Sequence, residues 1–342
     1  MKIFAVYDYV KTLHDKEIVA KLIDNLRKSS DSHLHTFTDD INDASVYLFF
    51  TTCVDINEVP LIRKHPLVKR YPGKCFLICD KDISYPVLPG IYAALPRNPL
   101  YKYLYVTGFY LSPTNPYIEL YKEQNIKPQF LASFQGGLSS RLRQILSKVK
   151  FTKNIHLNFV KPQWQDFYSG TGFITSGSNY LTKYAELLYE SFFVLCPKGN
   201  GISSYRLFES LEAGRIPIII SDRFASPVIV KEWIDGPIQI KEKDIRSIEN
   251  ILTIKFKEWE VRSQTCQHIY DQYFSAKKRV EYIGNAIEHI QGQKLLKKHW
   301  QFILYWKWVS LSWIIILNKQ RLKLFIGQTL KKINVYFRKN NI

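Results

Sequence analysis

The chain contains little cysteine, and its cysteines follow no regular pattern. Five occur among 342 residues, at irregular spacing. Disulfide frameworks and zinc sites both need ordered cysteine spacing, so the sequence disfavours both. Cys75 and Cys79 are close together, but the Phe-Leu-Ile between them is typical of a strand. We therefore expect buried thiols in a reducing compartment.

The N-terminus lacks a long apolar segment and a small-residue cleavage site. Residues 1–10 read as a first strand and do not resemble a secretion signal, which favours a cytoplasmic protein. The composition is 46% hydrophobic and 15% aromatic, so a disordered chain is not expected. A chain of 342 residues predicts about two domains, each with its own core.

Acidic residues are scarce relative to basic ones, and the imbalance is concentrated at the C-terminus. The chain has 30 acidic and 48 basic residues, and residues 294–342 hold eleven Lys or Arg with no Asp or Glu. The apolar run Trp300 to Leu317 is interrupted by Lys307, which would cost about 2.5–3.5 kcal/mol at the centre of a membrane span. Trp-rich basic segments suit the interface of an anionic membrane.

This tail therefore has two explanations that the sequence leaves open. We expect 291–342 to be a basic, Trp-rich helical tail that attaches peripherally to the inner face of the membrane. The alternative is a helix that packs back on the first domain. No nucleic-acid-binding motif accompanies the basic residues, so nucleic acid is not an expected partner.

The rest of the chain alternates between strand and helix patterns, which predicts an α/β fold. We expect a Rossmann-like domain over 1–122, a hinge over 112–128 and a second Rossmann-like domain over 128–290. A proline-rich loop is predicted over 84–100. The strands and helices predicted from the pattern are Ile3–Tyr7, 16–28 (helix), Ser45–Phe50, Lys74–Cys79, Gln129–Phe134, 138–149 (helix) and Asn154–Val160.

The most informative segment is 191–222, which reads as strand, glycine loop, helix and strand. Gly199 and Gly201 can turn sharply and leave backbone N–H groups free. Ser203 or Ser204 is a natural N-cap for the following helix, and Gly214 fits its C-terminal side. A glycine turn at a helix N-terminus favours an anion, because free N–H groups and the helix dipole act together. The segment predicts a site for a phosphorylated ligand.

Two charged residues on this helix sharpen the prediction. Arg206 and Glu209 are three residues apart and therefore share one helix face. The arginine fork can hold a diphosphate while the carboxylate accepts hydrogen bonds from ribose hydroxyls. The same spacing also fits an ordinary salt bridge between the two side chains, and the spacing does not separate these alternatives.

The order of motifs around this segment resembles the exostosin-like glycosyltransferases. The core of the resemblance is Ser191 to Gly199, then Ser204-x-Arg206-x-x-Glu209, then Gly214 to Ile218. Flanking similarities cover roughly 130–255 and are found at Phe134-Gln135-Gly136 with Arg141 or Arg143, Tyr184, Leu187, Asp222, Ser226-Pro227, Trp233 and 238–245.

The resemblance implies a GT-B architecture, with two Rossmann-like domains facing each other across a cleft. It also implies an inverting reaction without a bound metal or cofactor. Arg206 would contact the diphosphate and Glu209 the ribose. Ser204 and the backbone at Gly199 and Gly201 would line the phosphate site, and Gly136 would lie beside it.

The general base cannot be taken from the resemblance, so acids at strand ends are considered directly. Asp8, His14 and Asp82 follow predicted strands of the first domain, where a base opposite the donor should lie. Asp80-Lys-Asp82 also has the spacing by which metal-dependent GT-A transferases bridge a cation to a diphosphate. Acceptor binding or base catalysis is the favoured role for these acids, and no metal site is predicted.

The sequence thus predicts a glycosyltransferase in surface polysaccharide synthesis. It would move a sugar from a UDP- or GDP-sugar to a glycan or a lipid-linked glycan, with Arg206, Asp82 and Asp8 as catalytic candidates. The alternative is a non-catalytic module on the membrane surface that binds a nucleotide or polyanion through a decayed transferase fold.

Overall fold

The computed structural model describes residues 1–51, 59–82, 87–94, 96–97, 103–111, 115–124, 126–160 and 178–293. Within these ranges the chain forms two parallel β-sheets, each flanked by helices. The predicted tail over 291–342 lies outside the described residues from 294 onward. The predicted division into domains at 122 and 128 stays a prediction.

The first sheet has six parallel strands in the order β2-β1-β3-β4-β5-β6. Its central strands β3 and β4 are buried along their whole length, as expected of strands covered on both faces. The elements of this half are β1 Lys2–Val6, α1 Leu13–Ser29, β2 Thr36–Thr38, β3 Val46–Phe50, α2 Val59–Lys64, α3 Pro66–Arg70, a 3₁₀ turn Pro72–Lys74, β4 Cys75–Cys79, β5 Gly90–Tyr92 and β6 Tyr105–Thr107.

The second sheet has five parallel strands in the order β11-β10-β9-β7-β8. The continuous apolar run at β10 is fully buried, as the sequence predicts. Its strands and the remaining α-helices are α4 Tyr117–Lys122, β7 Phe130–Gly136, α5 Arg141–Leu146, β8 Ile155–Phe159, α6 Ser178–Tyr189, β9 Ser191–Pro197, α7 Tyr205–Glu212, β10 Ile216–Ile220, β11 Ile238–Ile240, α8 Ile248–Lys255, α9 Trp259–Ile269 and α10 Arg279–Gln291.

Two parallel, helix-flanked sheets confirm the predicted α/β class and the Rossmann-like pair that defines GT-B. The prediction of a loop over 84–100 was wrong at Gly90–Tyr92, which forms β5. Strand β6 was also missed. Both strands are three residues long. That is too short for the alternation of apolar and polar residues that identifies a strand in a sequence. Their backbone pairing to β4 and to each other places them in the sheet.

Helix α10 returns from the second sheet to pack on the first. The Tyr282 hydroxyl donates a hydrogen bond to the Thr107 carbonyl at the end of β6, and its ring lies 5.6 Å from that of Phe109. Gly284 faces His35 so closely that a Cβ built on it would lie 2.1 Å from the imidazole Cγ. The helix therefore links the two halves, and a glycine makes the contact possible.

The two halves also meet at the carboxyl end of β6 and in the segment that follows β5. The Thr107 hydroxyl donates to the Ala225 carbonyl at 2.8 Å, and the Arg97 N–H donates to the Arg223 carbonyl at 2.6 Å. Ligands of open parallel sheets bind beyond the carboxyl ends of the strands. The contact between the halves thus lies at the edge where a ligand is expected.

Two further findings bear on the predictions from composition. Cys75, Cys79, Cys196 and Cys266 are buried free thiols. Within the described ranges, no helix combines the length and apolar character that a membrane span requires.

Candidate active site

The glycine loop lies between the end of β9 and the start of α7. The Lys198 N–H donates to the Ile220 carbonyl at 3.2 Å, which anchors the loop to β10. In the part of the chain that the structure describes, no hydrogen bond uses the N–H of Gly199 or Gly201. The loop therefore offers backbone donors beside a helix N-terminus, which is the arrangement that binds anions.

Ser204 occupies the N-cap position of α7, as predicted, but its hydroxyl does not cap the helix. The residue is extended, with φ −154° and ψ 156°, and makes no side-chain cap hydrogen bond. Its Oγ is buried without a hydrogen-bond partner among the described residues. A buried hydroxyl without a partner is costly, so a ligand at the loop would gain from contacting it. At the other end of the helix, Gly214 has φ +62°, as its predicted place requires.

Arg206 projects from the first turn of α7 onto the end of β7. Its guanidinium carbon lies 4.6 Å from the centroid of the Phe134 ring, and Nη2 donates to the Gln135 carbonyl. Its Nε is buried and has no hydrogen-bond partner within the described ranges. A Cβ on Gly136 would come 2.6 Å from Nη2. The predicted glycine therefore provides the space that the arginine fork occupies.

A second arginine, Arg143 of α5, lies on the same aromatic ring. Its guanidinium carbon is 5.5 Å from the Phe134 centroid, and its Nη1 donates to the Gly137 carbonyl and to Ser139 Oγ, each at 3.2 Å. The side chain is buried, and a Cβ on Gly199 would lie 2.9 Å from Nη2. Burial and the nearby charge of Arg206 lower the pKa of Arg143 to about 10. Two guanidinium groups thus converge beside the loop.

The sequence named Arg143 only as one of two possibilities, with Arg141. The sequence feature that could have distinguished the two arginines is Ser140, the N-cap residue of α5. Ser140 accepts the N–H of Arg143 at 3.3 Å and so fixes where α5 begins. That start turns Arg143 toward the interior, whereas Arg141 is exposed.

Glu209 lies one turn after Arg206, in a largely buried position. The Tyr184 hydroxyl donates to Glu209 Oε2 at 2.9 Å. Burial raises the pKa of Glu209, while the Tyr184 hydrogen bond and the charge of Arg206 act in the opposite direction. No Arg206 nitrogen lies within the 4.0 Å that defines an ion pair with this carboxylate. The geometry therefore leaves both side chains directed to other partners, and the salt-bridge alternative gains no support.

Asp82 follows strand β4 of the first sheet and lies against the glycine loop. A Cβ on Gly201 would lie 2.9 Å from its Cα, its carbonyl oxygen and Oδ1. The Tyr110 hydroxyl donates to Oδ1 at 3.4 Å. Although the residue is exposed on one side, the surrounding protein atoms desolvate the carboxylate and raise its pKa.

Asp8 and His14 are placed differently. The Asp8 carboxylate pairs with His65 Nε2 at 3.1 Å and is 72% exposed. His14 lies exposed in the first turn of α1. None of the hydrogen bonds or ion pairs that the structure describes brings either residue to the loop. Asp80, the other acid of the Asp-x-Asp pair, is buried. The described ranges contain no group of three or more His, Cys, Asp or Glu side chains suited to a metal.

A cavity in the described part of the chain lies away from this cluster. Its volume is about 880 Å³. The second half of α1, the segment before α4 and the residues after α9 line it, with Tyr189 and Glu212 from the second sheet's side. It is therefore separate from the cluster of Arg143, Arg206, Glu209 and Asp82.

Comparison with known proteins gives this cluster a family context. Residues 110–254 match the model of the Exostosin GT47 domain. The resemblance to exostosins is confirmed. The range of the Exostosin GT47 domain includes the two arginines, Glu209, Tyr110 and the glycine loop, while Asp82 lies before it.

Individual relatives match shorter or similar stretches. An Exostosin-1 homolog from Caenorhabditis elegans is 34% identical over 94 residues, which are 27% of this chain and 24% of the relative. A probable glucuronosyltransferase from Oryza sativa subsp. japonica is 28% identical over 141 residues, 41% of this chain and 32% of the relative. The probable beta-1,4-xylosyltransferase IRX10 from Arabidopsis thaliana is 33% identical over 91 residues, 26% of this chain and 22% of the relative. The chain thus spans less than a third of the length of these relatives.

Solved structures show a more distant likeness. The glycosyltransferase WaaG, involved in lipopolysaccharide biosynthesis, aligns with a TM-score of 0.36 and 14% identity, over 86% of this chain and 100% of that chain. The wall teichoic acid polymerase TagF aligns with a TM-score of 0.26 and 13% identity, over 85% of this chain and 88% of that chain. The fold assignment rests on the two sheets themselves.

Proposed function

We propose that this protein is a glycosyltransferase that transfers a sugar from a nucleotide-diphosphate donor to a glycan acceptor. The observation that carries the proposal is the pair of guanidinium groups on Phe134 beside a glycine loop with free N–H groups. The buried, unpartnered Nε of Arg206 is a donor that lacks an acceptor in the described protein. A diphosphate supplies several acceptor oxygens and the matching charge.

Each side chain of the cluster then has a chemical role. Arg206 binds the diphosphate and stabilises the negative charge that it gains as the leaving group. Arg143 supplies a second positive charge near Gly199, and Ser204 with the loop N–H groups completes the phosphate site. Glu209, oriented by Tyr184, accepts hydrogen bonds from the ribose hydroxyls.

The donor is a UDP- or GDP-sugar, and the transfer inverts the anomeric centre. The proposal requires no metal or cofactor, because the two arginines and the helix N-terminus supply the charge that a divalent cation would otherwise provide. Relatives named for glucuronosyl and xylosyl transfer support a glycan as acceptor, and a lipid-linked glycan in surface polysaccharide synthesis suits the basic tail.

The direct test is release of nucleoside diphosphate by the purified full chain. The donors are UDP-glucuronate, UDP-xylose, UDP-N-acetylglucosamine and GDP-mannose, each with and without EDTA and a mixed glycan acceptor. We expect release from one donor, undiminished by EDTA. Release that EDTA abolishes contradicts metal independence, and no release from any donor favours the non-catalytic alternative.

The tail forms a separate part of the proposal. Residues 294–342 carry eleven basic residues and no acidic ones, and each basic residue near an anionic leaflet contributes about 1 kcal/mol. We expect the full chain to sediment with phosphatidylglycerol vesicles and not with phosphatidylcholine vesicles. Equal recovery with both vesicles contradicts attachment through the tail's charge, and a cytoplasmic location at the inner membrane face stays a prediction.

A further inference from the structure

A sugar transfer that inverts the anomeric centre needs a general base on the acceptor side of the reacting carbon. The base must remove the proton from the acceptor hydroxyl as it attacks, and it must lie opposite the donor. The sequence left three candidates in the first half of the chain: Asp8, His14 and Asp82. The contacts that these residues make in the structure distinguish Asp82 from the other two candidates.

The loop after β4 touches the glycine loop after β9. Asp82 lies three residues after the end of β4, and a Cβ on Gly201 would collide with its backbone and with Oδ1 at 2.9 Å. A glycine is therefore required for the two loops to approach. The carboxylate lies at the boundary between the two halves, within electrostatic range of Arg143. Asp8, by contrast, is exposed and held by His65.

Tyr110 connects this carboxylate to the first turn of α7. Its ring is 3% exposed and stacks on the Tyr205 ring, with the centroids 4.0 Å apart. It also meets Phe208 edge-on at 6.1 Å. Its hydroxyl donates to Asp82 Oδ1 at 3.4 Å. The aromatic contacts fix Tyr110 relative to the helix that carries Arg206, and the hydroxyl extends that constraint to Asp82.

We propose that Asp82 is the general base of the transfer and that Tyr110 is its positioning residue, a role that rests on the proposed function. Asp82 accepts the proton of the acceptor hydroxyl as the acceptor oxygen forms its bond to the anomeric carbon. The bond between that carbon and the diphosphate oxygen breaks, and its electron pair leaves with the diphosphate. The proton then passes from Asp82 to solvent.

The electrostatic surroundings suit this role. Burial raises the pKa of Asp82, whereas the Tyr110 hydrogen bond and the charge of Arg143 lower it. Among the described residues, the ionisable groups that act on the carboxylate are Tyr110, from the segment after β6, and Arg143, from α5. Asp80 and Lys81 are its neighbours in the chain. A carboxylate with a raised pKa is a stronger base than a fully solvated one.

The first experiment compares Asp82→Asn with Asp8→Asn, and uses Asp24→Asn on the exposed face of α1 as a matched control. Turnover of the sugar donor should fall about 10²- to 10⁴-fold in Asp82→Asn. The affinity of this variant for UDP or GDP should stay within about threefold of the wild-type affinity, a difference of roughly 0.7 kcal/mol in binding free energy. A fall in Asp8→Asn that equals or exceeds this overturns the assignment. So does turnover in Asp82→Asn that matches the Asp24→Asn control.

The second experiment tests Tyr110 through the pH dependence of turnover. Tyr110→Phe removes a hydrogen bond that stabilises the ionised carboxylate, so the pKa of Asp82 rises and the acidic limb of the profile moves to higher pH. A purely structural role would lower turnover at every pH without moving the limb. An unmoved limb in a folded Tyr110→Phe protein therefore overturns the positioning role.

Failure of the proposed function gives a different result. If wild type neither binds nor turns over any donor, the proposed transfer is wrong and the base assignment fails with it. If wild type turns over a donor and Asp82→Asn does so equally well, only the base assignment fails. Carbon-13 NMR titration of the Asp82 carboxylate in wild type and Tyr110→Phe checks the hydrogen bond independently, and identical titration curves contradict it.

Discussion

At the scale of single residues, the site is defined by two features: buried polar atoms that have no hydrogen-bond partner among the described residues, and glycines that make room for charged side chains. Gly136 borders Arg206, Gly199 borders Arg143 and Gly201 borders Asp82. Each of these glycines lies in a segment that the sequence had linked to phosphate binding. Because each glycine lacks a side chain, the neighbouring charged group can lie against the backbone. The amino-acid composition could not reveal these contacts.

Arg206 carries the most specific prediction at this scale. Arg206→Ala should lower donor turnover about 10²- to 10³-fold, as loss of one charge-stabilising donor does, and at least as much as it lowers donor affinity. Arg206→Lys keeps the charge but loses the planar fork, so it should restore affinity more than turnover. Steady-state kinetics with saturating donor measure both. Unchanged turnover in Arg206→Ala would remove this residue from leaving-group stabilisation.

We expect the ionised carboxylate of Glu209 to destabilise the folded protein, although it contributes to nucleotide binding. Its pKa is raised above the ordinary 4.5 by burial, so the unfolded state ionises first as pH rises. Wild type should therefore lose stability relative to Glu209→Gln between pH 4.5 and the folded-state pKa, with no further change above it.

Urea titrations of both proteins from pH 4.5 to pH 8 measure this difference. We expect Glu209→Gln to be more stable at pH 8 by roughly 0.5–2 kcal/mol, the size usual for stabilising changes, and to bind nucleotide more weakly. A difference between the two proteins that is independent of pH would show that the carboxylate titrates alike in both states.

At the scale of elements, the β9-α7-β10 unit was predictable, whereas the three-residue strands β5 and β6 were not. The boundaries of β9, α7 and β10 follow from local signals, namely Pro197, Ser204 and Gly214. Strands β5 and β6 carry no such signals. Each is three residues long, and only the backbone hydrogen bonds to a neighbouring strand define it as a strand. The meeting of Arg143, Tyr110 and Asp82 is also tertiary, since these residues come from separate segments and no local pattern links them.

The packing of helix α10 against the first half depends on Gly284, and substitution of this glycine tests that dependence. Gly284→Ala would place Cβ within 2.1 Å of the His35 ring, and His35 is itself 2% exposed. Since neither group can move freely, we expect a loss of about 1–3 kcal/mol. Gly73→Ala, where no atom lies within 4 Å of the added Cβ, is the matched control. Thermal unfolding of both variants checks the prediction, and equal midpoints would contradict it.

At the scale of the whole molecule, the two sheets present their carboxyl-end loops to each other. The residues proposed to bind the sugar-nucleotide donor belong to the half that contains the second sheet, and Asp82 belongs to the half that contains the first. That division is the one that a two-substrate transfer requires, with one half holding the donor and the other receiving the acceptor. It also explains why the cluster is assembled from residues 80 to 210, across both halves.

The central claim is that the glycine loop, Arg206 and Glu209 bind a nucleoside diphosphate without a metal. Calorimetric titration of UDP and GDP into wild type and Glu209→Ala, each with and without EDTA, tests it directly. We predict that one nucleotide binds wild type equally well with and without EDTA and binds Glu209→Ala at least tenfold more weakly. Absence of binding by both nucleotides, or binding that Glu209→Ala leaves unchanged, would contradict the claim.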